Sequence, residues 1–253
     1  MRQYKIAAGI CLSGGLARRL GGVSKSALPI EGKTLLDRSL HALQAHGASR
    51  FVVVGPREPL GDGLEDMASI SDSHGQVVVY HENYDTPQVQ FLTEDPPHSG
   101  PAWATAAGIA ALSFRGLLPD DLVAVVSVDL PFLDLGLDAL LTSDNECTDR
   151  SHTLGITSSG HQQWLLGVHR WDALRSLSAH AQPNQSLMSL FADVHPTWVV
   201  IEDEAAHDID TPEDLATVLA TLGCADSVRE DSRATPAEQT LNDDDIGQYA
   251  LPS

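Results

Sequence analysis

The sequence predicts a doubly wound α/β domain in which a mostly parallel central sheet is flanked by helices on both faces. Strand-like and helix-like segments alternate through residues 1–140, which is typical of βαβ units. Residues 122–128 form an apolar run that only Ser127 interrupts, as expected for a central parallel strand that helices cover on both sides. With 253 residues, of which 42% are hydrophobic, the chain can build a large core.

The first half supplies most of this alternation. Residues 4–12 are β-rich and predict a buried strand, and the glycines of residues 13–25 predict a loop. Leucines recur at helical spacing between residues 35 and 43, and Gly47 is suited to end that helix. The remaining elements are strands at 51–54, 77–80 and 90–93, a loop rich in Pro and Gly, an Ala-rich helix at 102–112, the strand at 122–128 and a short helix at 135–141.

The second half begins with two strands, 153–157 and 163–168, joined by a polar turn. Helices at 171–177 and 186–191 and a strand at 197–201 follow. Thr211, Pro212 and Asp214 then form a strong helix-start signal, close to a capping box. Residues 1–222 are predicted to form the domain. Residues 223–253 are polar and acidic, and they are predicted to form a disordered tail.

Charge is distributed unevenly along the chain. The net charge is −20, yet residues 1–57 hold nine Lys and Arg against two acids. Residues 58–222 hold four Arg against 26 acids. Such acidity argues against nucleic-acid and membrane-surface partners, since both are polyanions. The clustered cations are either reserved for an anion or grouped by chance.

The three cysteines are widely spaced, and the histidines form no metal-binding pair of the HExxH type. This pattern favours a reducing compartment without a zinc knuckle. The start of the chain lacks the cleavage-site pattern of a signal peptide, and acids interrupt the longest apolar stretch. We expect a cytoplasmic protein.

In a doubly wound sheet, ligands bind beyond the carboxyl ends of the strands. The loops expected to carry function are therefore 13–25, 94–101, 129–132 and 208–211. The first reads SGGLARRLGGVSK and matches neither a P-loop nor GxGxxG. It combines glycine backbone amides with three cations, Arg18, Arg19 and Lys25, which suits a polyphosphate.

With the preceding Leu12, this loop resembles the LAGGxxxRxGxxK motif of the molybdenum cofactor guanylyltransferase (MobA-like) family of nucleotidyltransferases. Further segments resemble the family's motifs in the same order, and the resemblance covers about residues 4–222. These further segments are an Asp…Gly-Pro segment (Glu94-Asp95 with Gly100-Pro101), an Asp-x-Pro motif (129–131), an acceptor-side strand (164–170) and a closing motif, DTPEDL (210–215).

The resemblance implies a Rossmann-like nucleotidyltransferase fold and guanylyl transfer from GTP to a molybdopterin-type acceptor, with loss of pyrophosphate. Gly14 favours GTP, since related cytidylyl-transferring members tend to have Ala-Gly there. Cytidylyl transfer to the same pterin, another small phosphate acceptor, and a non-catalytic nucleotide-binding module remain alternatives. Molybdenum cofactor biosynthesis proteins or recipient molybdoenzymes are the partners such an activity implies.

The resemblance also assigns roles to residues. Lys25 would contact the phosphates, and Arg18 or Arg19 would hold the β,γ side. Leu12, Ser13, Gly14 and Gly15 of the loop, together with Asp95, would bind the nucleotide. Asp129 and Asp210 would bind Mg²⁺, or Mn²⁺, and Asp208 could share or replace the role of Asp210.

The chain departs from the family pattern at several positions that bear on base and acceptor specificity. Ser13 replaces the usual Ala, and Ser24 replaces the common Asp before Lys25. Gly55 stands where some members carry an Asn that contacts the nucleotide.

Overall fold

A computed structural model describes residues 4–14, 16–17, 23–61, 65–66, 70–71, 77–78, 88–142 and 151–231. The strands of its central sheet are, in chain order, β1 (Ile6–Leu12), β6 (Arg50–Val54), β7 (Glu65–Asp66), β10 (Gln88–Leu92), β11 (Leu122–Ser127), β12 (His152–Thr157), β13 (Gln162–Arg170) and β14 (Thr197–Ile201). Three short pairs lie outside it: β2 (Leu16–Ala17) with β3 (Val23–Ser24), β4 (Pro29–Ile30) with β5 (Lys33–Thr34), and β8 (Ile70–Ser71) with β9 (Val77–Val78).

The eight strands of the central sheet lie in the order β14-β12-β13-β11-β1-β6-β10-β7. All of them run parallel except β13, which is antiparallel to both of its neighbours. The predicted Rossmann-like nucleotidyltransferase fold, a mostly parallel sheet between helices, is confirmed. The strand predicted at 77–80, however, belongs to a small pair, and not to the central sheet.

The helices are α1 (Leu35–Ala45), α2 (Pro101–Leu112), α3 (Leu133–Thr142), α4 (Trp171–Ser178), α5 (Leu187–Leu190) and α6 (Pro212–Asp231). Leucines of α1 and α3 pack on one face of the sheet, and α2 and α4 pack on the other. Consecutive side chains of β1 pack on opposite faces of the sheet, since Cys11 packs with α1 and α3, whereas Ile10 packs with α2 and α4. This double covering explains why the central strands are apolar throughout.

The last helix differs from its prediction at its end. It continues to Asp231, past the boundary predicted at residue 222. Gly223 is the only glycine between Pro212 and Asp231, and no proline follows within the helix. Residues 232–253, where most of the predicted tail falls, lie outside the described residues.

Within the described residues, no helix combines the length and apolar character required to cross a membrane.

Candidate active site

Four segments converge at the edge where the parallel strands end, called here the carboxyl edge. Ser13 and Gly14 follow β1, Gly55 follows β6, and Asp129 lies shortly after β11. After β14, the chain passes through a 3₁₀ turn (Asp203–Ala206) and then reaches Asp208 and Asp210. The predicted placement of these loops on one edge follows from the parallel sheet.

Lys25 joins two of the predicted carboxylates. Its Nζ donates to Oδ2 of Asp129 at 2.8 Å and also to Oδ1 of Asp210. The Lys25 side chain is 11% exposed and that of Asp129 16%, whereas Asp210 is 54% exposed. The ammonium is thus held deep in the site, and the cluster opens to solvent on the Asp210 side.

The electrostatics of this group follow from its crowding. Burial lowers the pKa of Lys25, but hydrogen bonds and charge from Asp129 and Asp210 outweigh this, so the pKa lies above its ordinary value. The pKa of Asp208 is raised by partial burial and by the negative charges of Asp129 and Asp210. The three carboxylates therefore carry more negative charge than one ammonium balances.

Neighbouring groups fix the orientation of the carboxylates. The Ser127 hydroxyl donates to Oδ1 of Asp129, and the Ile209 amide donates to the Asp129 carbonyl at 3.2 Å. The amides of Asp210 and Thr211 donate to Oδ2 of Asp214 at 3.0 and 2.8 Å. The predicted start signal of α6 therefore also holds the backbone that carries Asp210.

The side chains of the site offer ligand atoms that can hold a divalent metal. One carboxylate oxygen from each of Asp129, Asp208 and Asp210 lies within 4.8 Å of the other two. Oxygen donors of this kind are the ligands that Mg²⁺ and Mn²⁺ prefer.

At the turn that follows β1, two residues that depart from the family pattern, Ser13 and Gly55, lie in contact. The Ser13 amide donates to the Val54 carbonyl at 2.9 Å, and its buried hydroxyl donates to the same oxygen at 3.3 Å. A Cβ at Gly55 would lie 2.2 Å from the Ser13 hydroxyl oxygen. A serine at 13 thus requires a residue without a side chain at 55.

The other predicted nucleotide-binding residues have different surroundings. The Leu12 carbonyl accepts from the Val128 amide at 3.2 Å, whereas Gly14 is exposed. The Asp95 side chain is exposed, and its carbonyl accepts from the Trp103 indole at 2.7 Å, outside the carboxylate cluster. Gly15, Arg18 and Arg19 lie outside the described residues.

Beside the carboxylates lies an open cleft of about 720 Å³, a size typical of small-molecule sites. Asp129 and Asp208 line one part of it, and residues of β13 and α5 line another. Sequence reasoning did not find Ser127, although its position two residues before Asp129 could have placed both on one face. His161, for which the sequence predicted no role, also lines this cleft.

Comparisons with known proteins identify the family of the chain. A family model described as a MobA-like NTP transferase domain matches residues 9–198. A curated protein named molybdenum cofactor guanylyltransferase, from Bradyrhizobium sp. (strain ORS 278), is 27% identical over 216 residues, or 82% of this chain and 89% of that protein.

Two solved structures show the same fold at low identity. Molybdopterin-guanine dinucleotide biosynthesis protein A from Archaeoglobus fulgidus is 16% identical with a TM-score of 0.54, covering 86% of this chain and 99% of that one. The 2-C-methyl-D-erythritol 4-phosphate cytidylyltransferase from Thermus thermophilus is 19% identical with a TM-score of 0.50, covering 86% and 98%.

Proposed function

The chain belongs to the family of MobA-like NTP transferase domains and is a nucleotidyltransferase, and we propose that it transfers GMP from GTP to the phosphate of molybdopterin, forming molybdopterin guanine dinucleotide. The observation that carries the proposal is the Lys25 ammonium held between Asp129 and Asp210 at the carboxyl edge. An ammonium and carboxylates able to hold a metal at one point suit a triphosphate, since such transfer is mostly positioning and charge neutralisation.

In the proposed reaction, an oxygen of the acceptor phosphate attacks the α-phosphorus of GTP in line with the bond that breaks. A new P–O bond forms, the bond between the α-phosphorus and the bridging oxygen breaks, and pyrophosphate leaves with that electron pair. Lys25 would neutralise charge that develops on the transferred group. The Ser127 hydroxyl would keep the Asp129 carboxylate in place, and the Ile209 amide would hold the Asp129 backbone carbonyl.

Asp129, Asp208 and Asp210 would hold Mg²⁺, with Mn²⁺ as a substitute, since all their donors are oxygens. When bound, the metal supplies positive charge to the phosphates. Burial and acidic neighbours raise the pKa of Asp208, and a bound cation would favour the ionised form of this side chain.

Within the glycine loop, the Ser13 amide already donates to the sheet, so backbone contacts to the base would come from Gly14 and Gly15. Gly15, Arg18 and Arg19 keep their proposed roles from the motif, in binding the nucleotide and the β,γ phosphates. Asp95 keeps a proposed role in nucleotide binding as well. GTP and a molybdopterin-type acceptor are the small-molecule partners of the proposal.

The test is pyrophosphate release with Mg²⁺ and molybdopterin, using GTP, CTP and ATP at equal concentration. We expect release with GTP in preference to the others, and release with CTP but not GTP would contradict the proposal. Lys25→Ala and Asp129→Ala should each lower turnover by at least about a hundred-fold, the size expected for an electrostatic group at a transferring phosphate.

Stability and ligand binding of the same variants separate this mechanism from loss of folding. Each variant should keep a cooperative thermal transition. A non-catalytic nucleotide-binding module, by contrast, predicts that GTP binds the parent without turnover and still binds Asp129→Ala. Full activity in Lys25→Ala would refute the role given to Lys25.

A further inference from the structure

The cleft beside the carboxylates has a lining that sets conditions on its ligand. No Lys or Arg lies among the residues that line it in the described part of the chain. Part of the wall is apolar, with Trp164 and Leu165 from β13 and Leu187 and Met188 from α5. Most of the remaining lining residues are polar, so the apolar part of the wall favours a ligand that carries one apolar surface in addition to its polar groups.

A local irregularity of β13 brings its residues into the cleft. In a regular strand, consecutive side chains point to opposite faces, yet Gln163, Trp164 and Leu165 all line the same cleft. The register against β12 explains this, because Leu154 pairs with Gly167 and the next residue, Gly155, pairs with Gln163. Residues 164–166 thus form a bulge, a feature that re-aims side chains.

Two aromatic side chains pack against the Trp164 ring and restrict its movement. It packs edge-on against Trp198 with ring centroids 5.1 Å apart, and it lies tilted against Phe191 at 5.8 Å. Because neighbours already restrict the ring, little side-chain freedom remains to be lost when a ligand binds. Trp164 is a preorganised aromatic surface.

Met188 adds a second apolar surface to the same cleft. It is 61% exposed, although a large apolar side chain is usually sheltered when a core is available. Methionine is unbranched and polarisable, and it packs well against aromatic systems.

From these observations we propose that Trp164 and Met188 are specificity-determining residues for the acceptor. They would select a phosphorylated molecule with a flat, unsaturated ring system over a sugar or polyol phosphate. A flat ring can lie against both side chains, whereas a polyol would place hydroxyl groups against these two apolar surfaces, neither of which supplies a strong hydrogen-bond partner. The inference rests on the proposed function, since it takes the cleft as the acceptor side of the same reaction.

The test uses the full-length protein and measures KM for molybdopterin and KM for GTP separately. Loss of one aromatic contact of about 1 kcal/mol raises KM roughly five-fold. We expect at least this rise in molybdopterin KM for Trp164→Ala, with GTP KM within about two-fold of the parent. Trp164→Phe should recover most of the effect, because it keeps an aromatic face.

Met188→Ala guards against misfolding, because the side chain is mostly exposed and contributes little to the core. It should raise the molybdopterin KM without shifting the thermal midpoint. Leu219→Ala, at an exposed leucine on α6 that does not line the cleft, is the matched control and should change neither KM.

The outcomes separate this inference from the proposed function. Turnover with molybdopterin in the parent and an unchanged acceptor KM in both Trp164→Ala and Met188→Ala would overturn the inference alone. Use of CTP with molybdopterin, with the expected rise in acceptor KM, would overturn the guanylyl assignment and support the inference. Faster turnover of inositol 1-phosphate than of molybdopterin by the parent would overturn both.

Discussion

Ser13 and Gly55, which follow neighbouring parallel strands, share one small space. A Cβ at position 55 would lie 2.2 Å from the Ser13 hydroxyl oxygen and 3.1 Å from the Gly14 amide nitrogen. The φ angle of Gly55 is also +149°, which disfavours a side chain. The two departures from the family pattern are therefore coupled: a hydroxyl at 13 excludes the side chain that some members carry at 55.

This coupling can be measured with a double-mutant cycle on the free energy of unfolding. Gly55→Ala alone should destabilise the protein by about 1–3 kcal/mol, because it overpacks a filled space. Added to Ser13→Ala, the same change should cost less by about 1 kcal/mol, since the clashing hydroxyl is gone.

Denaturant titration of the parent, both single variants and the double variant gives this coupling energy. Gly14→Ala is the control, because a Cβ at Gly14 would meet no atom of the described residues within 4 Å. Strictly additive effects of Ser13→Ala and Gly55→Ala would show that the two positions do not share the space.

Several site residues could be found from the sequence, and others could not. Lys25 and Asp129 stand in short motifs that fix their position relative to strand ends, so the motif alone indicates where they meet. The resemblance placed Trp164 in the acceptor-side strand, but it did not place the side chain in the cleft, because side-chain direction in a strand is inferred from a two-residue period, which the bulge in β13 breaks. The exposure of Met188 depends on which element lies opposite α5, and no local pattern encodes that.

At the scale of elements, a buried histidine pair joins β12 and β13. His152 and His169 are cross-strand neighbours with Nδ1 atoms 3.0 Å apart, and both rings pack against Phe191. Burial lowers the pKa of His152 to about 4 and that of His169 well below its ordinary value, which the charge of His152 depresses further. Both rings are therefore neutral at pH 7, and one donates its Nδ1 proton to the other.

The pair makes stability depend on pH. Both histidines have a lower pKa in the folded state than in the unfolded chain, where it is about 6.5. The unfolded state therefore takes up protons first as the pH falls. Each group costs up to about 1.4 kcal/mol of stability per pH unit between about pH 6.5 and its folded pKa. Stability is complete above about pH 6.5 and is lost towards about pH 4.

Urea titrations at pH 7.0, 6.0 and 5.0 test this dependence. His152→Gln removes one titrating ring and should give a flatter pH profile than the parent over this range. His180→Gln changes an exposed histidine and should leave the slope unaltered. Equal slopes for the parent and His152→Gln would show that the pair does not govern acid stability.

The elements themselves were largely predictable, and their arrangement was less so. The apolar run of β11 and the cap of α6 are local signals, and both elements form where those signals lie. The order of strands is not local, because β1 takes its neighbours from residues 50–54 and 122–127. The end of α6 was predicted too early because the residues after Gly223 are polar, acidic and without helical periodicity, yet the helix continues to Asp231.

For the whole molecule, the question is how a chain of net charge −20 would receive a triphosphate. The proposed answer is separation of charge: residues 1–57 are cationic and contain the glycine loop and Lys25, whereas most of the acids lie in residues 58–222. At physiological ionic strength the Debye length is about 8 Å, so only charges near the bound phosphates contribute strongly. The net charge of the chain then affects triphosphate binding less than the charges around the glycine loop do.

Ionic strength distinguishes local from net charge. If the cations near the glycine loop dominate, kcat/KM for GTP at fixed Mg²⁺ should fall as NaCl raises the ionic strength from about 0.01 to about 0.1 M, since screening then shortens from about 30 to about 10 Å. A chain ending at Asp231 lacks the acidic residues of 232–253 and should show the same slope and nearly the parental kcat. A rise of kcat/KM with salt would mean that the acidic surface repels the nucleotide over long range. In that case shortening the chain should lessen the rise, because part of the repelling charge is removed with the last residues.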